Sequence, residues 1–362
     1  MAAGLAGLPG CEAMLSLSTG AEILGQSPMP EVALPVPTYR GVAGYLGRLL
    51  SAPLRRGRLL RRVAALRPDV AICAMPGPLD LEMSGALRRL GIPFLVVVHD
   101  ADRHPGDGSA IQMLLQRRLV AMSDGLIALT RHVADRLAEQ GAIGSRALLM
   151  TTLPPFVFGP PPPPPLVHGG RFRLLCFGRL LPYKGLDLLA DALAAPGLQD
   201  RITVRVVGHG PPSPELSRLS AMATVRVENR WVPEEEVAAL IAWADAVILP
   251  YREASQSGVA AAAIAARRWV VATRVGGLVE QFRGQTLAIM CAPDAGELRR
   301  AVERLLSDPP ALPAVVEDPH ELWRREAGSL LEDIGRRVLF VPEAETVPSP
   351  MQGKALDAAV AP

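Results

Sequence analysis

Cysteine, net charge and long apolar runs are all scarce in this 362-residue chain. The formal net charge is only +2. This argues against a general nucleic-acid-binding protein, which needs a stronger positive field to attract phosphate backbones. The apolar stretches fall short of the roughly 20 residues that span a bilayer, and the N-terminus lacks the basic segment of a secretory signal peptide. We therefore expect a cytoplasmic protein that does not bind nucleic acid.

The four cysteines lie far apart, and Cys73, Cys176 and Cys291 occupy apolar, strand-like segments. Such spacing is not typical of a disulfide framework or of a zinc site. We predict buried free thiols in a reducing compartment.

Proline is abundant, with 35 residues, and its placement predicts the domain boundaries. The unbroken run at 160–165 cannot donate backbone hydrogen bonds and favours a stiff polyproline II conformation. We therefore predict an N-terminal domain at 1–158, a linker at 159–170 and a C-terminal domain at 171–318; a surface loop within one domain is the alternative. A helix at 319–340 that packs back on the N-terminal domain is expected to follow, and then a disordered tail at 341–362.

Short β-rich runs alternate with amphipathic helical segments in both halves. Most of these runs are continuously apolar, as expected for parallel strands covered on both faces. The pattern predicts two Rossmann-like, doubly wound α/β domains whose ligands bind at the carboxyl ends of the strands, in the cleft between the domains. The predicted strands are 13–17, 69–74, 94–98, 125–129, 147–150, 172–177, 202–207, 224–227, 246–249, 270–272 and 287–290; the clearest helices are 186–194, 234–243 and 295–306.

The segment from Gly178 to Gly185 follows a predicted buried strand and contains Arg179 and Lys184. Two cations five residues apart, with glycines that permit close backbone approach, suit a diphosphate. Lys184 is also one of only two lysines in a chain with 38 Lys and Arg residues. The helix dipole disfavours cations at a helix start, so we prefer an anionic partner to a solvated pair of cations.

The region 172–280 resembles the C-terminal domain of the retaining GT-B glycosyltransferases of family 4, also called group 1. Five segments match its motifs in order: 178–185, 206–211, 231–233, 250–259 and 270–278. The resemblance, which is weaker in the first half, implies a GT-B fold. It also implies retaining transfer of a hexose-type sugar from a UDP- or GDP-linked donor to a saccharide or lipid-linked acceptor. The implied setting is bacterial surface-polysaccharide or glycoconjugate synthesis.

The resemblance assigns roles to individual residues. Arg179 and Lys184 would stabilise the charge that develops on the departing diphosphate, so no metal or other cofactor is expected. Glu253 would accept hydrogen bonds from the donor sugar. A solvated Glu253 and simple helix capping by Ser257 are the alternatives. The other expected donor-binding residues are Gly178, Gly208, Gly210, Ser257, Gly258 and Val259.

Three features depart from the family pattern. The family usually has a second glutamate eight residues after the first, where this chain has the alanines 260–263. The sequence Arg-Arg-Trp at 267–269 replaces a glycine and a proline, which removes a preferred helix C-cap. The start of the chain reads like the end of the helix after the family's first glycine-rich loop, so we expect either a truncated start or a protein that lacks this first strand and loop. A catalytically impaired relative that serves as a nucleotide-sugar-binding or partner subunit is therefore the alternative function.

His99 follows an apolar strand, where the family often has an active-site histidine; a structural histidine is the alternative. Asp100 and Asp102 fit the metal-binding pattern of the other large transferase fold, GT-A. We rank a metal site lower because the two cations already supply positive charge. His104 and Asp107 are expected to be loop residues around the acceptor mouth.

Residues 32–68 contain eight arginines and no acidic residue. A surface from Arg48 to Arg67 would suit peripheral contact with an anionic membrane, because each basic residue near such a surface adds about 1 kcal/mol. A solvated arginine-rich helix face is the alternative. Pro53 and Gly57 interrupt the pattern, so we do not expect one long helix there.

Overall fold

The computed structural model describes residues 1–339 except 22, 23, 25–30, 38, 40, 78, 79, 108, 109, 160–164, 166–169 and 314–316. Most of the predicted linker and the predicted tail therefore lie outside the described residues. The described part forms two lobes built on parallel sheets, which confirms the predicted α/β fold class. No helix among these residues combines the length and apolarity needed to cross a bilayer.

The first lobe, called the N-lobe, contains a four-stranded parallel sheet in the order β3-β4-β5-β6 and a separate parallel pair, β1 and β2. The second strand of that pair was not predicted. The strands are β1 (Ser16–Ser18), β2 (Leu34–Val36), β3 (Ala71–Cys73), β4 (Phe94–Val98), β5 (Gly125–Ala128) and β6 (Ala147–Met150); the helices are α1 (Ala2–Ala6), α2 (Gly41–Leu66), α3 (Asp80–Leu90), α4 (Ala110–Met122) and α5 (Arg131–Glu139).

The second lobe, called the C-lobe, contains a six-stranded parallel sheet in the order β12-β11-β10-β7-β8-β9. Its strands are β7 (Phe172–Phe177), β8 (Ile202–Gly208), β9 (Val225–Asn229), β10 (Ala246–Leu249), β11 (Trp269–Thr273) and β12 (Ala288–Cys291). Its α-helices are α6 (Leu186–Leu193), α7 (Pro214–Ser220), α8 (Glu234–Trp243), α9 (Gly258–Ala265), α10 (Leu278–Gln281) and α11 (Ala295–Ser307). Helix α12 (Pro319–Ile334) follows and continues into a π-helical turn at Gly335–Leu339.

Strand β4 shows why both faces of the N-lobe sheet are apolar. All five of its residues are buried. Phe94, Val96 and Val98 face a cluster that includes residues of α2, α3, α4 and α5. Leu95 and Val97 face the opposite cluster, to which α12 contributes two buried residues. Helix α12 therefore covers the second face of the N-lobe sheet although it follows the C-lobe in sequence.

Helix α2 differs from the sequence-based expectation. We predicted that Pro53 and Gly57 would interrupt this segment, but α2 runs continuously through both, so the prediction was wrong. A proline in a helix removes one backbone hydrogen bond. Here Ser51 and Arg55 donate side-chain hydrogen bonds to the carbonyls of Gly47 and Arg48, and the helix packs along α3. These contacts stabilise the helix around Pro53 although none of them reaches the carbonyl of Leu49, which Pro53 leaves without its helical donor.

The cysteines are free, as predicted. Cys176 and Cys291 are buried in the C-lobe, whereas Cys73 and Cys11 are only half-buried. The prediction of burial therefore fails for Cys73, which ends the short strand β3 near the edge of its sheet.

Candidate active site

A cleft of about 340 Å³ lies between the lobes, beside the carboxyl ends of β4 and β7. The N-lobe contributes two polar residues, the C-lobe contributes the segments after β7 and β10, and three phenylalanines form an apolar part. The lining residues are Asp100, His104, Phe156, Phe158, Phe177, Gly178, Arg179, Tyr183, Lys184, Gln256, Ser257, Gly258, Val259 and Ala262.

Arg179 and Lys184 both line this cleft. The guanidinium of Arg179 donates to Tyr183 Oη at 3.0 Å and, across the cleft, to Asp107 Oδ1 at 2.5 Å. The ammonium of Lys184 lies 3.7 Å from the ring centre of Tyr251 and 4.9 Å from that of Tyr183. Aromatic faces stabilise a cation without neutralising it, so Lys184 keeps its capacity to bind an anion.

The environment of Lys184 favours an anionic ligand. Desolvation by burial lowers the pKa of its ammonium to about 8, with Arg179 adding to this effect. Among the described residues, no carboxylate lies within ion-pair distance of Lys184. A buried ammonium without a counter-ion is costly, and a phosphate oxygen in the cleft would relieve that cost.

Glycines allow the turns that carry these cations. Gly185 has φ +67°, and a Cβ there would lie 1.8 Å from the carbonyl oxygen of Pro250. Gly208 and Gly210 pack in the same way against the carbonyls of Gly178 and Leu180. Gly208 and Gly210 were predicted to bind the donor, but neither lines the cleft. They pack against the 178–180 segment on the side away from the cleft.

The start of α9 combines helix capping with exposure to the cleft. Ser257 accepts a hydrogen bond from the amide of Ala260 at 3.2 Å, and its own amide donates to Gln281 Oε1 at 2.7 Å. Its backbone amide is therefore engaged within the protein. Gly258 and Val259 line the cleft, and Gly258 lies so close to Phe156 that a Cβ would be 2.6 Å from its ring.

Two histidines of the N-lobe lie on the opposite side of the cleft, and of these only His104 lines it. His99 Nε2 lies 2.7 Å from the carbonyl oxygen of Ala74, and its Nδ1 lies 3.5 Å from Gln256 Nε2 in the C-lobe. His104 lies 3.0 Å from Asp100 Oδ1 and stacks on Tyr183, with ring centres 4.7 Å apart. The cleft thus has a cationic C-lobe wall and an N-lobe wall that carries the imidazole of His104 and the carboxylate of Asp100.

Comparison with known proteins agrees with this arrangement. Residues 5–154 match the family model of the glycosyl transferase 4-like domain, and residues 171–308 match that of glycosyl transferases group 1. This chain belongs to the GT-B group 1 glycosyltransferases.

Two curated relatives illustrate the range of this family. A GDP-mannose-dependent α-(1-6)-phosphatidylinositol monomannoside mannosyltransferase of Mycolicibacterium smegmatis is 31% identical over 53% of this chain and 56% of its own length. A 2-deoxystreptamine glucosyltransferase of Streptomyces kanamyceticus is 26% identical over 81% of this chain and 83% of its own. The chain therefore spans little more than half of the length of the mannosyltransferase.

Solved structures show the same fold. A glycosyltransferase from Rickettsia africae superposes with a TM-score of 0.58 at 15% identity, covering 89% of this chain and 88% of that one. HepE from Anabaena, solved with UDP and glucose, gives 0.54 at 18% identity and covers 84% and 82%. The predicted GT-B fold is confirmed.

The structure of this glycosyltransferase separates the two aspartates of the alternative metal pattern. Asp100 lies against His104, whereas Asp102 accepts hydrogen bonds from Arg136 Nε at 2.7 Å and from Gln140 at 2.9 Å. The two carboxylates are therefore held by different partners on different sides of the loop. Among the described residues, no cluster of three or more metal-ligating side chains occurs.

Sequence reasoning missed several residues of the glycosyltransferase cleft. His104 was expected at the rim, but it lies inside the cleft against Tyr183. Tyr251 and Gln256 were not singled out, although both belong to the 250–259 segment on which the family resemblance partly rests. Their contribution depends on side-chain direction, which that resemblance does not specify.

Proposed function

We propose that this glycosyltransferase moves a hexose-type sugar, with retention, from a UDP- or GDP-linked donor to an acceptor held by the N-lobe. The observation that carries the proposal is the pair of Arg179 and Lys184, which both face the cleft, with Lys184 held by aromatic rings. Cleavage of a glycosyl–diphosphate bond builds negative charge on the leaving group, and fixed cations stabilise that charge where it develops. We propose that these cations do so without a metal ion.

The other cleft residues fit the two substrates. Gly258 and Val259 at the start of α9 would approach the donor phosphates, and Glu253, at the rim, would accept hydrogen bonds from sugar hydroxyls. His99 directly follows β4, and its Nδ1 lies 3.5 Å from Nε2 of Gln256 in the donor-side loop, where donor sugar and acceptor would meet. We propose His99 as a residue that contacts the acceptor hydroxyl.

The names of the relatives support the substrate classes. Three are named for GDP-mannose, with a phosphatidylinositol monomannoside or a glycolipid as the second substrate in the name, and another is named a 2-deoxystreptamine glucosyltransferase. We infer that the acceptor of this protein is a saccharide or a lipid-linked saccharide. The proposed setting is the assembly of bacterial surface polysaccharides or glycoconjugates in the cytoplasm.

A surface on α2 supports peripheral contact with an anionic membrane. Leu46, Leu50 and Leu54 recur every four residues and are 52%, 84% and 87% exposed, so they form an apolar stripe toward solvent. Arg58 and Arg61 are exposed on the following turns of the same helix, whereas Arg48, which we expected on this surface, is buried against Glu82. Leucines at the lipid boundary next to arginines that attract headgroups are typical of interfacial helices. We propose that this stripe docks on the inner face of the cytoplasmic membrane.

Substitution of the cations tests the proposed chemistry. Purified protein is assayed for transfer or donor hydrolysis against a panel of UDP- and GDP-sugars, with and without a chelator. We expect Arg179→Ala and Lys184→Ala each to lower kcat about 100-fold or more, whereas Arg218→Ala, on the distant surface helix α7, leaves it unchanged. Activity that survives both cleft substitutions would place the chemistry elsewhere, and loss with chelator would require a metal.

Vesicle co-sedimentation tests the membrane contact. Wild-type protein should pellet with vesicles that contain phosphatidylglycerol and stay in solution with neutral phosphatidylcholine vesicles. The double variant Leu50→Ser/Leu54→Ser should lose most of this binding, while Val279→Ser, which alters an exposed apolar residue of α10, should not. Equal binding of wild type and double variant contradicts the contact.

One observation favours the alternative of an impaired partner subunit. The alanines 260–263 all lie in the interior of the C-lobe, each no more than 6% exposed. Helix α9 therefore offers no carboxylate for the donor's ribose at these positions. If the protein binds UDP or GDP in a thermal-shift assay but neither transfers nor hydrolyses any donor, this alternative replaces the catalytic one.

A further inference from the structure

His104 connects the two lobes inside the cleft. Its Nε2 lies 3.0 Å from Asp100 Oδ1 in its own lobe and 3.5 Å from Ser255 Oγ in the C-lobe. Its Nδ1 faces Glu253 Oε1, also in the C-lobe, at 3.7 Å. The side chain is 11% exposed and stacks on Tyr183 with an angle of 17° between the rings. The imidazole is thus fixed in position by packing.

The contact between His104 and Glu253 is incomplete. Both His104 Nδ1 and Glu253 Oε1 are buried, and neither atom has a hydrogen-bond partner among the described residues. A charge-assisted N–H···O bond has a length of about 2.8 Å, so an approach of roughly 1 Å would complete it. Buried polar atoms without partners are costly, which favours this approach when the lobes close on a substrate.

The charges around the ring favour the imidazolium. Asp100 and Glu253 face it directly, and the hydrogen bond with Asp100, followed by attraction from both carboxylates, raises the pKa of His104 despite its burial. The opposing charges are those of Arg179, which donates to the hydroxyl of Tyr183, and Lys184, which approaches the ring of Tyr183. The imidazole of His99 lies near Asp100.

We propose that His104 is a positioning residue of the sugar transfer. As an imidazolium it holds the Glu253 carboxylate, and with it the 253–257 loop, in the orientation that receives the donor sugar. The N-lobe thereby completes a donor site whose other residues belong to the C-lobe. This proposal rests on the proposed function of Glu253 as a donor-sugar ligand.

Kinetics of His104→Gln test the positioning role. Glutamine can still donate a hydrogen bond but carries no charge. We expect the donor KM to rise about 10-fold, with a smaller change in kcat. The increase of the wild-type KM toward alkaline pH should shrink in the variant to the part that deprotonation of Lys184 causes. His320→Gln, an exposed change on α12, is the matched control and should behave like the wild type. A variant that loses thermal stability but keeps the wild-type pH profile would overturn the proposal.

A titration decides the contact independently of activity. With ¹³C-labelled histidine, the His104 signal is assigned by its absence in His104→Gln and then followed by NMR across pH. The pKa of His104 should be above its ordinary value in the wild type and should fall in Glu253→Gln. An unchanged pKa in Glu253→Gln contradicts the proposal. If the wild type shows neither transfer nor hydrolysis, the proposed function fails, and this titration still reports on His104.

Discussion

The two walls of the cleft are built in different ways. The cationic part of the C-lobe wall is local: Arg179, Tyr183 and Lys184 lie within one short segment after β7, and close glycine contacts fix that segment. The N-lobe wall depends on contacts between residues far apart in sequence. His99 and His104 lie on the loop after β4 and contact C-lobe residues about 150 positions away. The difference suggests that the C-lobe wall is rigid before substrate binds, whereas the N-lobe wall depends on how the lobes meet.

The largest expected effect concerns the rigid wall. Gly185→Ala would place a Cβ 1.8 Å from the carbonyl of Pro250 at φ +67°, so left-handed strain and the clash together should cost about 3 kcal/mol. Thermal unfolding and nucleotide binding measure the loss. In Gly57→Ala the new Cβ meets open space on helix α2, and we expect a gain of about 0.5–1 kcal/mol. Equal stability of the two variants would show that the turn is not rigid.

Lys184 should make donor binding depend on pH. Below its pKa of about 8 the ammonium is already charged, so affinity for UDP or GDP should stay constant. Above this pH the free protein must take up a proton in order to bind. The affinity should then fall by up to 10-fold per pH unit until the raised pKa of the complex is reached. Calorimetry between pH 6.5 and 9.5 measures this. Lys184→Met should bind weakly with a flat profile, and a flat wild-type profile would contradict the proposed role.

Much of the rigid wall could be predicted from the sequence because its parts are contiguous. The apolar strand 172–177 and the cation pair at 179 and 184 lie where the sequence indicated, as does strand 94–98 of the N-lobe. Strand β2 escaped prediction because it has only three residues, with Pro35 in the middle, and pairs with β1 alone. The continuity of α2 through Pro53 depends on side-chain hydrogen bonds and packing that no local pattern reports.

The N-lobe wall could be predicted only in part. His99 was identified by its position after a strand, but the contact of His104 with Glu253 requires the relative placement of two lobes 149 residues apart in sequence. The same holds for Glu280, whose carboxylate accepts hydrogen bonds from the amides of Arg131 and His132 at 2.6 and 2.9 Å. Such contacts depend on three-dimensional docking, which periodicity and motif spacing do not encode.

Substitution of Glu280 would disturb the N-lobe wall without changing the C-lobe wall. Its carboxylate caps the first turn of α5 across the lobe boundary, next to Thr130, which donates to the carbonyl of Ser255 at 3.0 Å. Glu280→Ala removes this cap and its interaction with the helix dipole, at a cost of about 1–2 kcal/mol. Small-angle scattering should show a more open nucleotide-free protein, and the donor KM should rise. Glu297→Ala, on the surface helix α11, is the control. An unchanged radius of gyration would mean that the lobes do not depend on this contact.

The smallest expected effect concerns the far end of α9, away from the cleft. Arg267 has φ +53°. Its amide donates to the carbonyl of Ile264, while the amide of Arg268 donates to that of Ala263, the hydrogen-bond pattern of a helix C-cap that favours glycine. Arg267→Gly should therefore stabilise the protein by about 1 kcal/mol, since relief of left-handed strain exceeds the added freedom of the unfolded chain. Thermal unfolding measures the gain, and donor affinity should not change because Arg267 does not line the cleft. If Arg267→Gly destabilises the protein instead, the arginine side chain contributes more to the free energy of unfolding at this position than the backbone strain costs. The stability of the C-lobe would then depend on more than local backbone conformation.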